Sequence, residues 1–309
     1  MSNLSDILEG LLKPSLPLLA LGILIIVGAP LLLHLYLASS NTYTSPPSVL
    51  LLGPTSVGKT SLLTLYEHGA GEHAPQAADP NAPLSPSSTH TSQTATSVEL
   101  LASTDSKSRA SFRNRDDSSG THTKFLLVDT PGHGKLREVA WGKLRSLQKL
   151  KAIVFVVDAS ALGEQDVLAP TASYLYDVLL TLQKRSAADG AAAANPNANK
   201  NLKPVPVLIA ANKMDLFTAL PSTLVKVNLE AELTRIRQSK SKGLLDSGVG
   251  IDDVGSEEQD SWLGEYGSDK FQFKQMQEFD IDVEVLPGNV TGDGPGVDKW
   301  WWWIAQRVS

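Results

Sequence analysis

No cysteine occurs anywhere in the 309 residues, which excludes disulfide staples, thiolate metal sites and cysteine nucleophiles, and accords with a reducing compartment. Positive charge is also scarce: 27 Lys and Arg against 33 Asp and Glu leave a formal net charge of -6. Such a chain has no surface able to neutralise a long run of phosphates, so nucleic acid is not expected as a direct, sequence-specific partner. The few phosphates of one nucleotide remain within reach. Internal repeats are absent, and the length suits one domain with appendages.

What the chain does have is an apolar run over 16–38 with no Asp, Glu, Lys or Arg. It is long enough for a hydrocarbon core of about 30 Å and is expected to form one transmembrane helix. A cleaved signal peptide would start with basic residues and have a shorter apolar stretch, whereas this N-terminus carries Asp6 and Glu9 against Lys13. Neither flank has the Lys/Arg excess that would encode orientation. The organisation expected is a short tail over 1–15, the anchor over 16–38, a linker over 39–47 and one domain over 48–309. Low-complexity insertions are expected near 69–93, 104–122, 186–203 and 240–270.

Four short apolar runs, 49–52, 125–128, 152–157 and 205–210, read as strands buried on both faces, with 283–286 as the last strand and 97–102 as an edge strand. Helices are expected at 60–67, 136–150, 169–182, 222–239 and 297–308. Alternating buried strands and helices predict an α/β fold with a mostly parallel central sheet covered by helices on both faces. The tryptophans Trp300–Trp303 fall in the last helix, where consecutive residues point all around the axis; one or two of them are expected in the core.

The first run ends in Gly53-Pro54-Thr55-Ser56-Val57-Gly58-Lys59-Thr60-Ser61, the spacing of a phosphate-binding loop between strand and helix. Its backbone N–H groups and the helix N-terminus can surround a phosphate, Lys59 brings a point charge to the β- and γ-phosphates, and the Thr60 hydroxyl can ligate Mg²⁺. Asp129, in Asp129-Thr130-Pro131-Gly132, ends the second run, the position for a carboxylate holding Mg²⁺; Gly132 offers a backbone N–H to the γ-phosphate. Asn212-Lys213-Met214-Asp215 ends the fourth run. One carboxylate, Asp215, can accept from both N1–H and the 2-amino group of guanine, which adenine cannot satisfy; Asn212 would brace the loop and Lys213 would lie along the base. A switch threonine over Mg²⁺ is expected at Thr94, with Thr96 as the alternative. A base-contacting loop is expected at Gly288 and Asn289, although the usual Ser-Ala-Lys is missing there. His133, directly after Gly132, is the candidate for orienting the attacking water.

Taken together these motifs mark a P-loop GTPase binding GTP and Mg²⁺. The apolar N-terminus, Asp129 to His133 followed by Leu136-Arg137, the run from Ala152 to Asp158, and Phe271-Gln272-Phe273 together resemble the beta subunit family of the signal recognition particle receptor, small GTPases related to the Arf and Sar group. The resemblance implies a single-pass protein of the endoplasmic reticulum membrane with its GTPase domain in the cytosol. It further implies recruitment of the receptor alpha subunit, through that subunit's N-terminal domain and the switches around Thr94 and His133, with ribosome and translocon as indirect partners. The alternatives are an actively hydrolysing GTPase of the translational or vesicle-coat type. Thr55 replaces glycine at the third loop position and His133 stands where many small GTPases have glutamine, so intrinsic hydrolysis is expected to be slow. Single-turnover phosphate release from the GTP-loaded protein measures it, and a rate matching an activated GTPase refutes the expectation.

Overall fold

The computed structural model describes residues 21–22, 24–40, 46–69, 89–103, 122–147, 149–193, 205–246, 262–265, 268–293 and 295–308. The chain forms two compact units, residues 1–45 and 46–309. In the first, a π-helical turn at Leu24–Gly28 leads into a helix at Ala29–Ser40 (α1). Pro30 has no N–H to give the preceding turn, and the wider π turn sits at that break. Among the described residues no helix is long and apolar enough to cross a membrane. The remainder of the apolar run, 16–20 and Ile23, lies outside the described residues.

In the second unit, six strands run Ser48–Leu52 (β1), Thr96–Ser103 (β2), His122–Asp129 (β3), Leu150–Asp158 (β4), Val207–Asn212 (β5) and Val283–Pro287 (β6). Their order across the sheet is β2-β3-β1-β4-β5-β6. Only β2 is antiparallel to its neighbour; every other pairing is parallel. β1 and β5 are buried at every residue, as strands covered on both faces must be. Alternate residues feed opposite layers. Leu50 and Leu52 of β1 face the helices Arg137–Ser146 (α3), Gln165–Ala193 (α4) and Ser222–Asp246 (α5), while Val49 and Leu51 face Lys59–Gly69 (α2) and Asp298–Val308 (α6). The expected α/β sheet architecture is what the chain adopts.

Several boundaries differ from expectation. α3 stops at Ser146, because Leu147 turns to an extended ψ of 102°, and Leu150 opens β4 instead of closing the helix. α4 runs to Ala193, into the stretch expected to be an insertion, because its Ala-rich sequence favours helix. α5 likewise continues to Asp246. The end of the 240–270 stretch is part of the fold: Leu263 is fully buried, and the buried Arg237 donates to its carbonyl at 3.2 Å and to Ser268 Oγ at 3.1 Å. Arg237 also stacks over Trp262, 4.5 Å from the ring centre. Residues 70–88, 104–121, 194–204 and 247–261 lie outside the described residues.

The four consecutive tryptophans correct the expectation of one or two in the core. Trp300, Trp301 and Trp303 are buried; only Trp302 is exposed. α6 reaches this by lying where three of its directions are covered. Trp301 meets Tyr66 of α2 and Phe125 of β3 at ring distances of 5.1 and 6.0 Å, Trp300 donates its indole N–H to the Leu286 carbonyl at 3.1 Å, and Arg307 stacks on Trp303 at 3.8 Å. Trp300→Ala removes a fully buried ring and strips the Leu286 carbonyl of that donor. A loss of about 3–5 kcal/mol of unfolding free energy is expected from urea titration. A midpoint unmoved by the substitution contradicts this packing.

Candidate nucleotide site

The site lies at the C-terminal edge of the parallel strands, where open α/β sheets leave room for ligands. Gly53 follows β1 at φ 136°, and a Cβ there would lie 2.3 Å from the Val156 carbonyl oxygen; any side chain would push the loop off β4. The loop then turns through Pro54, Thr55, Ser56 and Val57 to Gly58 and enters α2 at Lys59, Thr60 and Ser61. Thr55, Ser56, Gly58, Lys59, Thr60 and Ser61 line a cleft of about 270 Å³, closed on its other sides by Thr89, His90, Thr91, Ser92 and Gly132.

Lys59 is almost fully buried, its ammonium donating to the carbonyls of Pro54 at 2.6 Å and Gly53 at 3.0 Å. Burial pushes its pKa down to about 8, against the opposing pull of the Asp129 charge. Asp129 is itself buried and accepts from the Thr60 hydroxyl at 2.6 Å. Burial raises its carboxyl above the ordinary range, although Thr60, Lys59 and the Thr130 backbone favour the charged form. Its Oδ1 is buried without a hydrogen-bond partner. A carboxylate with one free oxygen next to a hydroxyl suits a hard cation, which here would complete its shell from phosphate and water. Among the described residues no group of three His, Asp or Glu stands ready to hold a metal unaided. Beside them Gly132 leaves no room for a side chain: its Cβ would lie 2.4 Å from the Pro54 carbonyl oxygen and 2.6 Å from the Lys59 ammonium.

On the other flank Asn212, the last residue of β5, donates its amide to the Val57 carbonyl at 2.7 Å and accepts from the Val290 N–H at 3.0 Å. Gly58 makes room for it, because a Cβ at Gly58 would sit 2.4 Å from the Asn212 amide nitrogen. Lys213 adopts a left-handed φ of 64°, with its ammonium 2.5 Å from Asp158 at the end of β4. Burial pushes Asp158 up, but the hydrogen bonds and charge of Lys213 and those of Ser160 outweigh it and hold the carboxyl below its ordinary range. Sequence reasoning gives Asp158 no role, though the available signal was the one that marks Asp129: an acid ending a buried apolar strand. Asp215 has a buried Oδ1 without a hydrogen-bond partner, as a carboxylate awaiting the donors of a guanine would.

The remaining expected site residues lie outside the cleft lining, although the loop carrying Gly288 and Asn289 is tied to Asn212 and Met214. Thr94 and Thr96 are exposed and outside the cleft lining: Thr94 accepts through its carbonyl from Ser92 Oγ at 2.8 Å, and Thr96 pairs with Asp129 at the start of β2. The threonine that approaches α2 is Thr89, 3.0 Å from the Ser61 hydroxyl. Nothing in a Ser/Thr-dense segment marks that position beforehand. His133 is also exposed and outside the lining, its Nδ1 accepting from the Lys135 N–H at 3.3 Å as the cap of a short 3₁₀ turn at Gly134–Leu136. Gly288 is required by packing, since a Cβ there would fall 2.4 Å from the Trp300 ring. Asn289 is fully buried and spends its amide within its own loop, donating to Thr291 and Gly292 carbonyls and accepting from Gly296. Asn289 opens an Asn-Val-Thr sequon, and this burial closes it to glycosylation in the folded protein.

Comparison with known proteins agrees with this geometry. The family model for the signal recognition particle receptor beta subunit matches residues 44–279. The chain belongs to that family. The beta subunit of Saccharomyces cerevisiae is 26% identical over 298 residues, covering 94% of this chain and 98% of the yeast protein. Among solved structures, the SRb-GTP/SRX complex from Chaetomium thermophilum is 42% identical, covers 84% of this chain and all of that one, and has a TM-score of 0.68. The SRb-GDP-Mg structure from the same fungus is 40% identical over 86% of this chain and all of that one, with a TM-score of 0.58. The family match takes in the phosphate-binding loop, Asp129 and the Asn212–Asp215 motif; β6, Asn289 and the tryptophans lie past its end.

In this family member the buried lysine gives nucleotide binding a pH signature. With its pKa near 8, Lys59 of the free protein is largely neutral above that pH, and phosphate beside it restores the ammonium. Nucleotide binding at about pH 8.5 therefore takes up protons, and affinity falls as pH rises past 8. Calorimetric titrations in two buffers of different ionisation heat read the uptake directly; proton release at that pH contradicts the assignment. The same depressed pKa means the folded protein binds fewer protons than the unfolded chain between about 8 and 10.5, so this group's burden on stability eases as pH climbs through that window.

Proposed function

We propose that this beta-subunit family member is a membrane-tethered GTP switch that recruits the receptor alpha subunit to the endoplasmic reticulum for cotranslational targeting. Bound GTP would supply the phosphate charge and the guanine donors, and Mg²⁺ would offset charge at the phosphates. The chain's own residues have defined parts. The loop N–H groups from Thr55 to Thr60 and the Lys59 ammonium receive phosphate, Thr60 and Asp129 face the cation, and Asp215, supported by Lys213 and Asn212, receives guanine. The observation that carries the switch is the junction at Gly132. Its backbone is packed against both the Pro54 carbonyl and the Lys59 ammonium, so the loop after β3 rests on the group that phosphate attracts. A change in what Lys59 holds would bear directly on Gly132 and the exposed residues behind it, from His133 to Lys135.

The fungal relative solved with GTP and SRX supports a partner that reads the GTP form, and the one solved with GDP and Mg supports the same nucleotide pair here. The apolar run over 16–38 is the proposed anchor, and the lack of cysteine accords with a cytosolic domain. His133, bound into its own cap, supports slow hydrolysis and a docking role over rapid turnover. The test is a pull-down of the alpha subunit's N-terminal domain by the full chain in detergent, loaded with GTP or GDP. Retention by the GTP form alone is expected; retention indifferent to nucleotide rejects the switch.

A further inference from the structure

A second charged feature lies away from the nucleotide cleft. Residues 143–151 contain Lys143, Arg145, Lys149 and Lys151 and no carboxylate. The fold gathers them at one edge of the sheet: Lys143 and Arg145 close α3, Lys149 precedes β4, and Lys151 is the second residue of that strand. Arg185 of α4 joins them, donating to the Leu144 carbonyl at 3.4 Å. This is the N-terminal edge of the parallel strands, opposite the edge that carries Gly53, Asp129 and Asn212. Lys143, Arg145 and Lys149 are exposed. Among the described residues the only carboxylate paired with any of them is Glu138, 4.0 Å from Arg145, and both of those side chains are largely exposed.

The chain enters the domain at this same edge. Ser48 donates both its N–H, at 2.9 Å, and its hydroxyl, at 3.3 Å, to the Lys149 carbonyl, and the Leu126 N–H donates to the Pro47 carbonyl at 2.8 Å. Six carboxylates fall within 246–260, with no Lys or Arg among them, and the rest of the chain is formally neutral.

We propose that this basic edge is a docking surface for anionic lipid headgroups, which holds the nucleotide cleft pointing away from the bilayer. The inference rests on the reading of 16–38 as a membrane anchor. Seven residues, 41–47, follow α1 and reach at most about 24 Å, so the edge is kept close to the headgroups and its attraction acts within one tethered molecule. Each Lys or Arg near an anionic surface contributes about a fivefold preference, and several act together. Charge complementarity and the tether at Ser48 favour lipid over RNA, whose binding requires the neutralisation of a longer run of phosphates.

Because the chain has no cysteine, Ser146→Cys gives one labelling site at the centre of the patch. The full chain carrying a donor dye there is reconstituted into vesicles of phosphatidylcholine, with or without phosphatidylserine, containing acceptor-labelled lipid. Energy transfer is expected to rise on the order of twofold in the anionic vesicles, and to return to the neutral-vesicle value at about 1 M salt, where the screening length is about 3 Å. The triple change Lys143→Glu, Arg145→Glu and Lys149→Glu removes the rise while leaving fluorescent GTP binding intact. Equal transfer in the two vesicle types overturns the proposal, as does a response to added ribosomal RNA in place of anionic lipid. A chain that an alkaline wash strips from the vesicles overturns the anchor reading and this inference together. A chain that stays inserted but ignores lipid charge overturns the inference alone.

Discussion

Three loops of this protein become one site through the side chain of Asn212. Its amide nitrogen holds the phosphate-binding loop at the Val57 carbonyl, and its amide oxygen holds the loop after β6 at the Val290 N–H, over 2.7 and 3.0 Å. Aspartate would lose the donor and leave the Val57 carbonyl unpaired; glutamine would place the same groups too far out. In a buried setting such bonds are strong when made and costly when broken, so the phosphate-binding loop and the loop after β6 are set by one residue. The backbone at Asn212 extends the tie, because its carbonyl accepts from the Ala159 N–H at 3.0 Å and fixes β4 beside it.

That tie has consequences on both sides. Toward the phosphates it demands Gly58, the only residue that leaves space for the amide. Toward the base it sends the chain sharply onward, with Lys213 in the left-handed region that a lysine enters only when held there. The Asp158 carboxylate provides the hold: it takes the Lys213 ammonium on one oxygen, and the Ser160 hydroxyl and N–H on the other. Asp215 follows with its Oδ1 buried and unpaired, an arrangement that is unfavourable until donors arrive. The loop from Asn212 to Asp215 is thus held in place by the chain's own side chains.

The parts of this arrangement that sequence made legible are those where a residue type has one use. Gly53, Gly58, Lys59 and Thr60 at fixed spacing after a buried strand, and Asp129 and Asn212 each ending one, come together in the fold as strand order requires. All six strands were legible for the same reason, since buried parallel strands are continuous apolar runs with little else to mimic them. What escaped depends on distant packing. Thr89 meets the Ser61 hydroxyl at 3.0 Å, a contact that no local signal marks in a segment full of hydroxyls. Gly288 looks like a base-loop glycine until the Trp300 ring is seen filling the space beside it. The ends of α4 and α5 are not legible because low complexity resembles loop, although the alanine-rich end of α4 and the Lys- and Leu-containing end of α5 continue a helix already started.

The placement of the low-complexity stretches follows the same division of the sheet. The stretches after β2, α4 and α5 all leave from the edge opposite the cleft: β2 and β3 meet there as Ser103 pairs with His122, while α4 and α5 return there to feed the starts of β5 and β6. Lengthening such a connection costs only the slowly growing entropy of closing a longer loop, and none of the ties at Asn212 or Gly132 passes through it. The segment ahead of β2 is the exception, because Thr89 to Ser92 line the cleft. Tolerance to lengthening is therefore unequal: the described ends of three of the four stretches lie at the edge away from the cleft, and the fourth ends in the cleft lining.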